Sequence, residues 1–229
     1  TVIVYARSAE SAAKARSEGF VVVQDMASLA KAPVIVAAIS DDKALLQVAS
    51  DDLMAALTPD HVFIDTSTVS PQASETVASR LAKVGAGYVR APVSGSTTHA
   101  ANGQLTIMAS GPRAVYDRIE PLLAHFSAKR FYLGAEDQAR YMKLAINSMV
   151  AATSALVAEA IAIGEAGGLT RSDMLDVMTQ SAIASPVLGY KKDVLIKGEY
   201  PAAFTVTQML KDVNLALDVA RAAGLDVPV

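Results

Sequence analysis

Strand-like and helix-like segments alternate along this chain from Thr1, and after Gly134 the strand-like segments stop. That order restricts the fold to an α/β doubly wound, mainly parallel sheet followed by an all-helical part. Thr1 to Tyr5, Phe20 to Val23, Pro33 to Ile39, His61 to Asp65 and Gly87 to Val93 read as strands. The Pro33 to Ile39 run lacks polar alternation, as expected of a strand covered on both faces. Helices are predicted from a Ser8 cap to about Glu18, from Asp41 and Asp42 towards Leu57, and from Ser70 and Pro71 to about Val84, with a short turn at Ser28 to Lys31. Leu105 to Ser110, a helix from Pro112 to Ala124 and a strand at Arg130 to Leu133 complete the first part. Helices then follow at Glu136 to Glu165, Thr170 to Thr179, Pro186 to Ile196 and Val206 to Ala223, so the domain boundary is expected at 135/136, dividing 1–135 from 136–229.

Composition removes several classes of function. Net charge is −3 and no basic run exceeds Lys191 and Lys192, which excludes the electrostatic footprint of a nucleic-acid binder. The chain has no cysteine, and His61, His99 and His125 are too scattered to form a metal motif. A reducing, cytoplasmic location is the natural expectation. No membrane span is expected, because small polar and charged residues interrupt even the long central helix before roughly 18 to 20 uninterrupted apolar residues accumulate. The sequence opens directly on a strand without a starting methionine, and Leu225 to Val229 stops in what reads as mid-structure, so both ends are expected to belong to a longer protein.

Four polar groupings stand out. Arg7 and Ser8 follow the first strand, where doubly wound domains read an adenosine ribose; a cation and hydroxyl there suit a 2′-phosphate, although a surface arginine looks the same in sequence. Ser67, Thr68 and Ser70 cluster at another strand end, and helix capping explains them equally well. Ser94, Gly95 and Ser96 follow the next strand; their amides and hydroxyls suit a carboxylate, and a flexible turn is the plain alternative. Lys143 and Asn147 share one face of the long helix, inside an apolar run where desolvation lowers a lysine pKa towards useful proton transfer. A lysine reaching out to water from a helix edge would give the same spacing.

In order, Val4-Tyr-Ala-Arg-Ser8, Phe63-Ile-Asp-Thr-Ser-Thr68, Ala91-Pro-Val-Ser-Gly95, Met142-Lys-Leu-Ala-Ile-Asn147 and Lys211-Asp-Val-Asn-Leu-Ala216 resemble the landmarks of the β-hydroxyacid dehydrogenase family. Ser96, Asn102 to Leu105, Arg130 to Gly134 and Tyr200 to Phe204 look nearest to its glyoxylate/succinic semialdehyde reductase branch. The resemblance implies a Rossmann-like domain whose N-terminal strand-helix unit is missing, joined to a helical domain by the lysine helix. It implies Lys143 and Asn147 as catalytic residues, with Thr68, Ser94, Gly95, Ser96, Phe204 and Asp212 on the substrate side. Arg7, Ser8, Ile39, Ser40, Thr68 and Lys211 would face the cofactor, NADP(H) in preference to NAD. The Gly-rich phosphate loop would precede Thr1; Ala6 replaces a common asparagine and Ser40 a usual proline.

The expected reaction is NADPH-dependent reduction of a small carboxylate-bearing aldehyde or ketone, such as glyoxylate or succinic semialdehyde, with Lys143 as general acid. Two alternatives remain: an imine reductase of the same architecture, and a non-catalytic nucleotide-binding module. Alanine- and methionine-rich helical faces in the last third suit a homodimer or homotetramer.

Overall fold

A computed structural model describes residues 1–201 and 204–227. The chain forms two compact units, Thr1–Leu144 and Ala145–Val229, with the division falling within the long helix.

In the first unit the elements run β1 (Ile3–Val4), α1 (Ala9–Ser17), β2 (Val21–Val22), a 3-10 turn (Ala27–Lys31), β3 (Val34–Ala37), α2 (Asp42–Val48), α3 (Asp51–Ala56), β4 (Val62–Asp65), α4 (Pro71–Lys83), β5 (Gly87–Arg90), β6 (Val93–Ser94), α5 (Thr97–Ala101), β7 (Leu105–Ala109), α6 (Arg113–Leu123) and β8 (Ser127–Tyr132). β1 pairs with β2, and β4 lies between β3 and β5, all in parallel. β7 runs antiparallel to β6 and parallel to β8. Reciprocal amide bonds between Arg90 and Ser110 tie β5 to the strand end beyond β7.

Every residue of β4 is buried, because helices cover both faces of the sheet. Phe63 packs on one side with Leu45, Leu53, Val77 and Leu81, whereas Val62 and Ile64 pack on the other with Ile107, Ile119 and Leu123. The period of two along the strand separates these cores and directs Asp65, two residues after Phe63, to the Phe63 side.

Three local expectations are corrected. The helix expected from 42 to 57 is broken between α2 and α3: Ser50 caps the second piece by accepting from the Leu53 amide, and Asp51 and Asp52 favour the new helix start. The strand expected from 87 to 93 stops at Arg90; Pro92 supplies no amide hydrogen, and Val93 and Ser94 turn to pair with β7. Thr97–Ala101, to which the sequence reading assigned no element, is the short helix α5.

The long helix α7 (Gln138–Ala166) begins in the first unit. Its small residues keep it apolar enough, by length and composition alone, to cross a membrane, contrary to the expectation that polar interruptions prevent this. Asp137, just ahead of it, and Arg140, in its first turn, nevertheless enter a polar network of the first unit. In the second unit, α8 (Arg171–Gln180) and α9 (Pro186–Lys197) precede α10 (Val206–Ala222), and Ile161 of α7 packs with Met174, Leu175 and Leu188. Thr170, Ser185 and Thr205 cap these three helices with their hydroxyls.

Candidate functional site

The carboxyl end of β4 organises the polar residues of the first unit. Asp65 is buried and accepts from the Ser67 amide at 2.9 Å and from the Tyr88 hydroxyl at 3.2 Å. Ser67 is held on three sides: its hydroxyl accepts from the Ile39 amide at 2.9 Å, and its carbonyl from Arg140 at 2.5 Å. Thr68, half-buried, follows between Ser67 and the buried Val69. Ser70 has the capping role that sequence left open, accepting from the Ala73 amide at 3.0 Å.

Arg140 is 1% exposed and also donates to Asp65, to Tyr88 at 3.1 Å and to Ser74 at 3.4 Å. Burial works against its charge, but Asp65 and Tyr88 outweigh burial and its pKa is raised. Burial is also the main reason the Tyr88 phenol is pushed up to about 12, so it remains a donor to Asp65 at neutral pH. Beside this pair, Arg90 bonds Asp137 at 2.8 Å and lies 4.4 Å from the Tyr88 ring centroid. Ser74 links the pairs, donating to Asp137 at 2.6 Å while accepting from both arginines.

Lys143 sits three residues after Arg140 on α7 and is half-buried. In the second unit, Asn147 is buried and donates to Asp212 Oδ2 at 2.5 Å. That contact assigns the direction of the amide: its nitrogen faces Asp212, leaving its oxygen as acceptor. Asp212, expected to line the substrate, is 2% exposed, so its direct effect is on Asn147. Its Oδ1 lies 2.8 Å from Lys211 Nζ, an ion pair by distance, although this buried oxygen has no hydrogen bond of satisfactory angle. Phe204, expected on the substrate side, is exposed. Of the Tyr200 to Phe204 segment, Ala202 and Ala203 lie outside the described residues.

The carboxylate-docking candidate is more ordered than a flexible turn. Ser94 belongs to β6, and Gly95 has φ +134°, where a Cβ would lie 2.9 Å from Leu105 and 3.0 Å from His99. Ser96 starts α5, and its amide donates to His99 Nδ1 at 3.2 Å. The Ser96 amide is therefore already used by the protein. Sequence reading weighed His99 only as a metal ligand and so missed this support; the Ser-x-x-His spacing before a short helix was the available signal.

Arg7 is exposed between the end of β1 and the start of α1, while the Ser8 hydroxyl caps α1 through the Ser11 amide at 3.1 Å. A cation ahead of a helix N-terminus fits a phosphate-bearing cofactor. Ser40 is exposed and bonds Asp41 at 2.8 Å, whereas the Ile39 amide is committed to Ser67. A neighbouring cleft of about 570 Å³ lies among Tyr5, Gln24, Asp25, Met26, Ala27, Asp52 and Ala55. Its two carboxylates disfavour phosphate, so the cation at Arg7 is the better match for a cofactor phosphate.

Comparison with known proteins agrees with this arrangement of strands and helices. Residues 1–134 match a family model described as the NAD binding domain of 6-phosphogluconate dehydrogenase, and residues 138–229 match one described as NAD-binding of NADP-dependent 3-hydroxyisobutyrate dehydrogenase. The chain belongs to the β-hydroxyacid dehydrogenase family. Glyoxylate/succinic semialdehyde reductase 2 of Arabidopsis thaliana is 32% identical over 73% of the chain and 47% of its own length. Cytokine-like nuclear factor N-PAC of Anopheles gambiae is 29% identical over 100% of the chain and 41% of its own length. The chain thus spans less than half of these two relatives. The solved Mycobacterium tuberculosis 3-hydroxyisobutyrate dehydrogenase with L-serine aligns at a TM-score of 0.87 and 25% identity, covering 98% of this chain and 79% of that one.

Proposed function

We propose that the protein catalyses NADPH-dependent reduction of a small carboxylate-bearing aldehyde or ketone, such as glyoxylate or succinic semialdehyde, to the hydroxyacid. The observation that carries this reading is Lys143, half-buried on α7 three residues beyond a fully buried arginine and four before the oriented Asn147. The family assignment and the reductase relative support the reaction class. Arg7 and the N-terminus of α1 suit a 2′-phosphate, in keeping with NADP, with Ser8, Ser40, Thr68 and Lys211 as further cofactor-side residues. When bound, NADPH supplies the hydride.

Ser94 and Gly95 would hold the substrate carboxylate, with the Ser96 amide excluded because His99 accepts from it. As negative charge grows on the substrate carbonyl oxygen, the Lys143 ammonium stabilises it and donates a proton. Asn147, four residues after Lys143 on the same helix, would favour one orientation of the ammonium. The exposed residues Met142, Met149, Leu156 and Ile163 recur at heptad spacing on α7 and suit association with a second copy.

The N-PAC relative, whose name denotes no enzyme, favours keeping a non-catalytic nucleotide-binding module as the second reading. A panel of NADPH and NADH oxidation rates against glyoxylate, succinic semialdehyde and related acids, run on the full-length protein, separates the two. Oxidation of NADPH by at least one of these acids is expected. Tight NADPH binding without oxidation by any carbonyl compound would instead establish the module.

A further inference from the structure

The fully buried Arg140–Asp65 pair and the partly buried Arg90–Asp137 pair meet near the start of α7. Taking an arginine and an aspartate out of water costs several kcal/mol each, and well-packed apolar residues often replace such a pair without loss of stability. A buried pair is therefore better explained by what it orients. Arg140 spends its donors on Asp65, the Ser67 carbonyl, Tyr88 and Ser74, which come from the end of β4, the loop beyond it, β5 and α4. A planar guanidinium held by acceptors on four sides has no freedom to rotate about the helix axis. The Arg90–Asp137 pair, joined through Ser74, anchors the residue just ahead of the same helix.

Lys143 lies three positions after Arg140, about 300° of helical rotation and hence within about 60° of the same face. Any turn of α7 about its axis that moves Arg140 also moves the Lys143 ammonium. At its other end the network holds Ser67, directly before Thr68, and through the Ser67 hydroxyl it holds the Ile39 amide. We propose that Arg140, through its pairing with Asp65, is a positioning residue that fixes the rotation of α7 and thereby aims Lys143 at the substrate carbonyl. This inference rests on Lys143 being the proton donor.

The test is a kinetic cycle of Arg140→Lys with Lys143→Ala in the full-length protein. R140K keeps the charge but loses the planar fork. It should lower kcat by about 10-fold or more while KM and NADPH affinity change little, since displacements near 1 Å can cost about 10²-fold. In the K143A background the same change should cost nothing further, because no lysine is left to misaim. Equal losses in both backgrounds, or no loss from R140K, overturn the positioning role. Full turnover in K143A alone overturns the proton-donor reading instead. Should R140K fail to fold, the D65N/R140M double variant, which removes both charges together, enters the same cycle with the same two outcomes.

Discussion

Replacing Arg140 by methionine isolates the energetic consequence of the buried pair. The substitution keeps a long unbranched side chain in the space and removes the arginine ion-paired with Asp65, a residue with no exposure. The carboxylate retains two donors, the Ser67 amide and the Tyr88 hydroxyl, but loses its counter-charge. Breaking a buried pair from one side costs about 3–5 kcal/mol, and the two surviving donors place this site at the lower end, about 3–4 kcal/mol. At about 3 °C per kcal/mol for a chain of this size, R140M should lower the melting temperature by roughly 10 °C. The D65N/R140M double variant leaves no buried charge and should return to within about 1 kcal/mol of the parent. Urea unfolding of the parent, both single variants and the double variant measures the coupling. A double variant as unstable as R140M would refute the reasoning, because the loss would then come from packing and not from an orphaned carboxylate.

Two further substitutions probe the supports of the fold and of Asn147. Gly111→Ala should destabilise by about 2–4 kcal/mol, since φ is +146° and a Cβ would lie 2.5 Å from the Tyr88 carbonyl oxygen; a change below about 0.5 kcal/mol in urea unfolding contradicts the close approach. Asp212→Ala leaves the buried Asn147 amide without its acceptor and should cost about 1–3 kcal/mol, with Asp212→Asn losing less because an acceptor oxygen remains. Equal loss in both Asp212 variants counts against that hydrogen bond.

The alternation of strands and helices made the sheet legible in the sequence because each segment carried its own period and caps. Ser8, Asp41, Ser70 and Thr170 all cap where a hydroxyl or carboxylate precedes the helix. The break between α2 and α3 was missed because the apolar spacing continues across it, while Ser50, Asp51 and Asp52 were passed over as a second start signal. Helical spacing put Lys143 and Asn147 on one face of α7, while their catalytic role came from the family resemblance. Arg140 was not legible, although it lies on nearly the same face, because its partners Asp65, Tyr88 and Ser74 are distant in sequence and only folding brings them together. Asp212 was placed on the substrate side by the family resemblance, whereas its spacing alone suited a solvated helix face. The structure buries it against Asn147.

The account depends most directly on Lys143. The decisive measurement is the single-turnover rate of NADPH oxidation by glyoxylate or succinic semialdehyde in the parent and in Lys143→Ala, alongside the NADPH dissociation constant of each. A loss of about 10²-fold or more in rate with unchanged NADPH binding is the predicted result. An undiminished rate in the variant contradicts the assignment of Lys143 as proton donor.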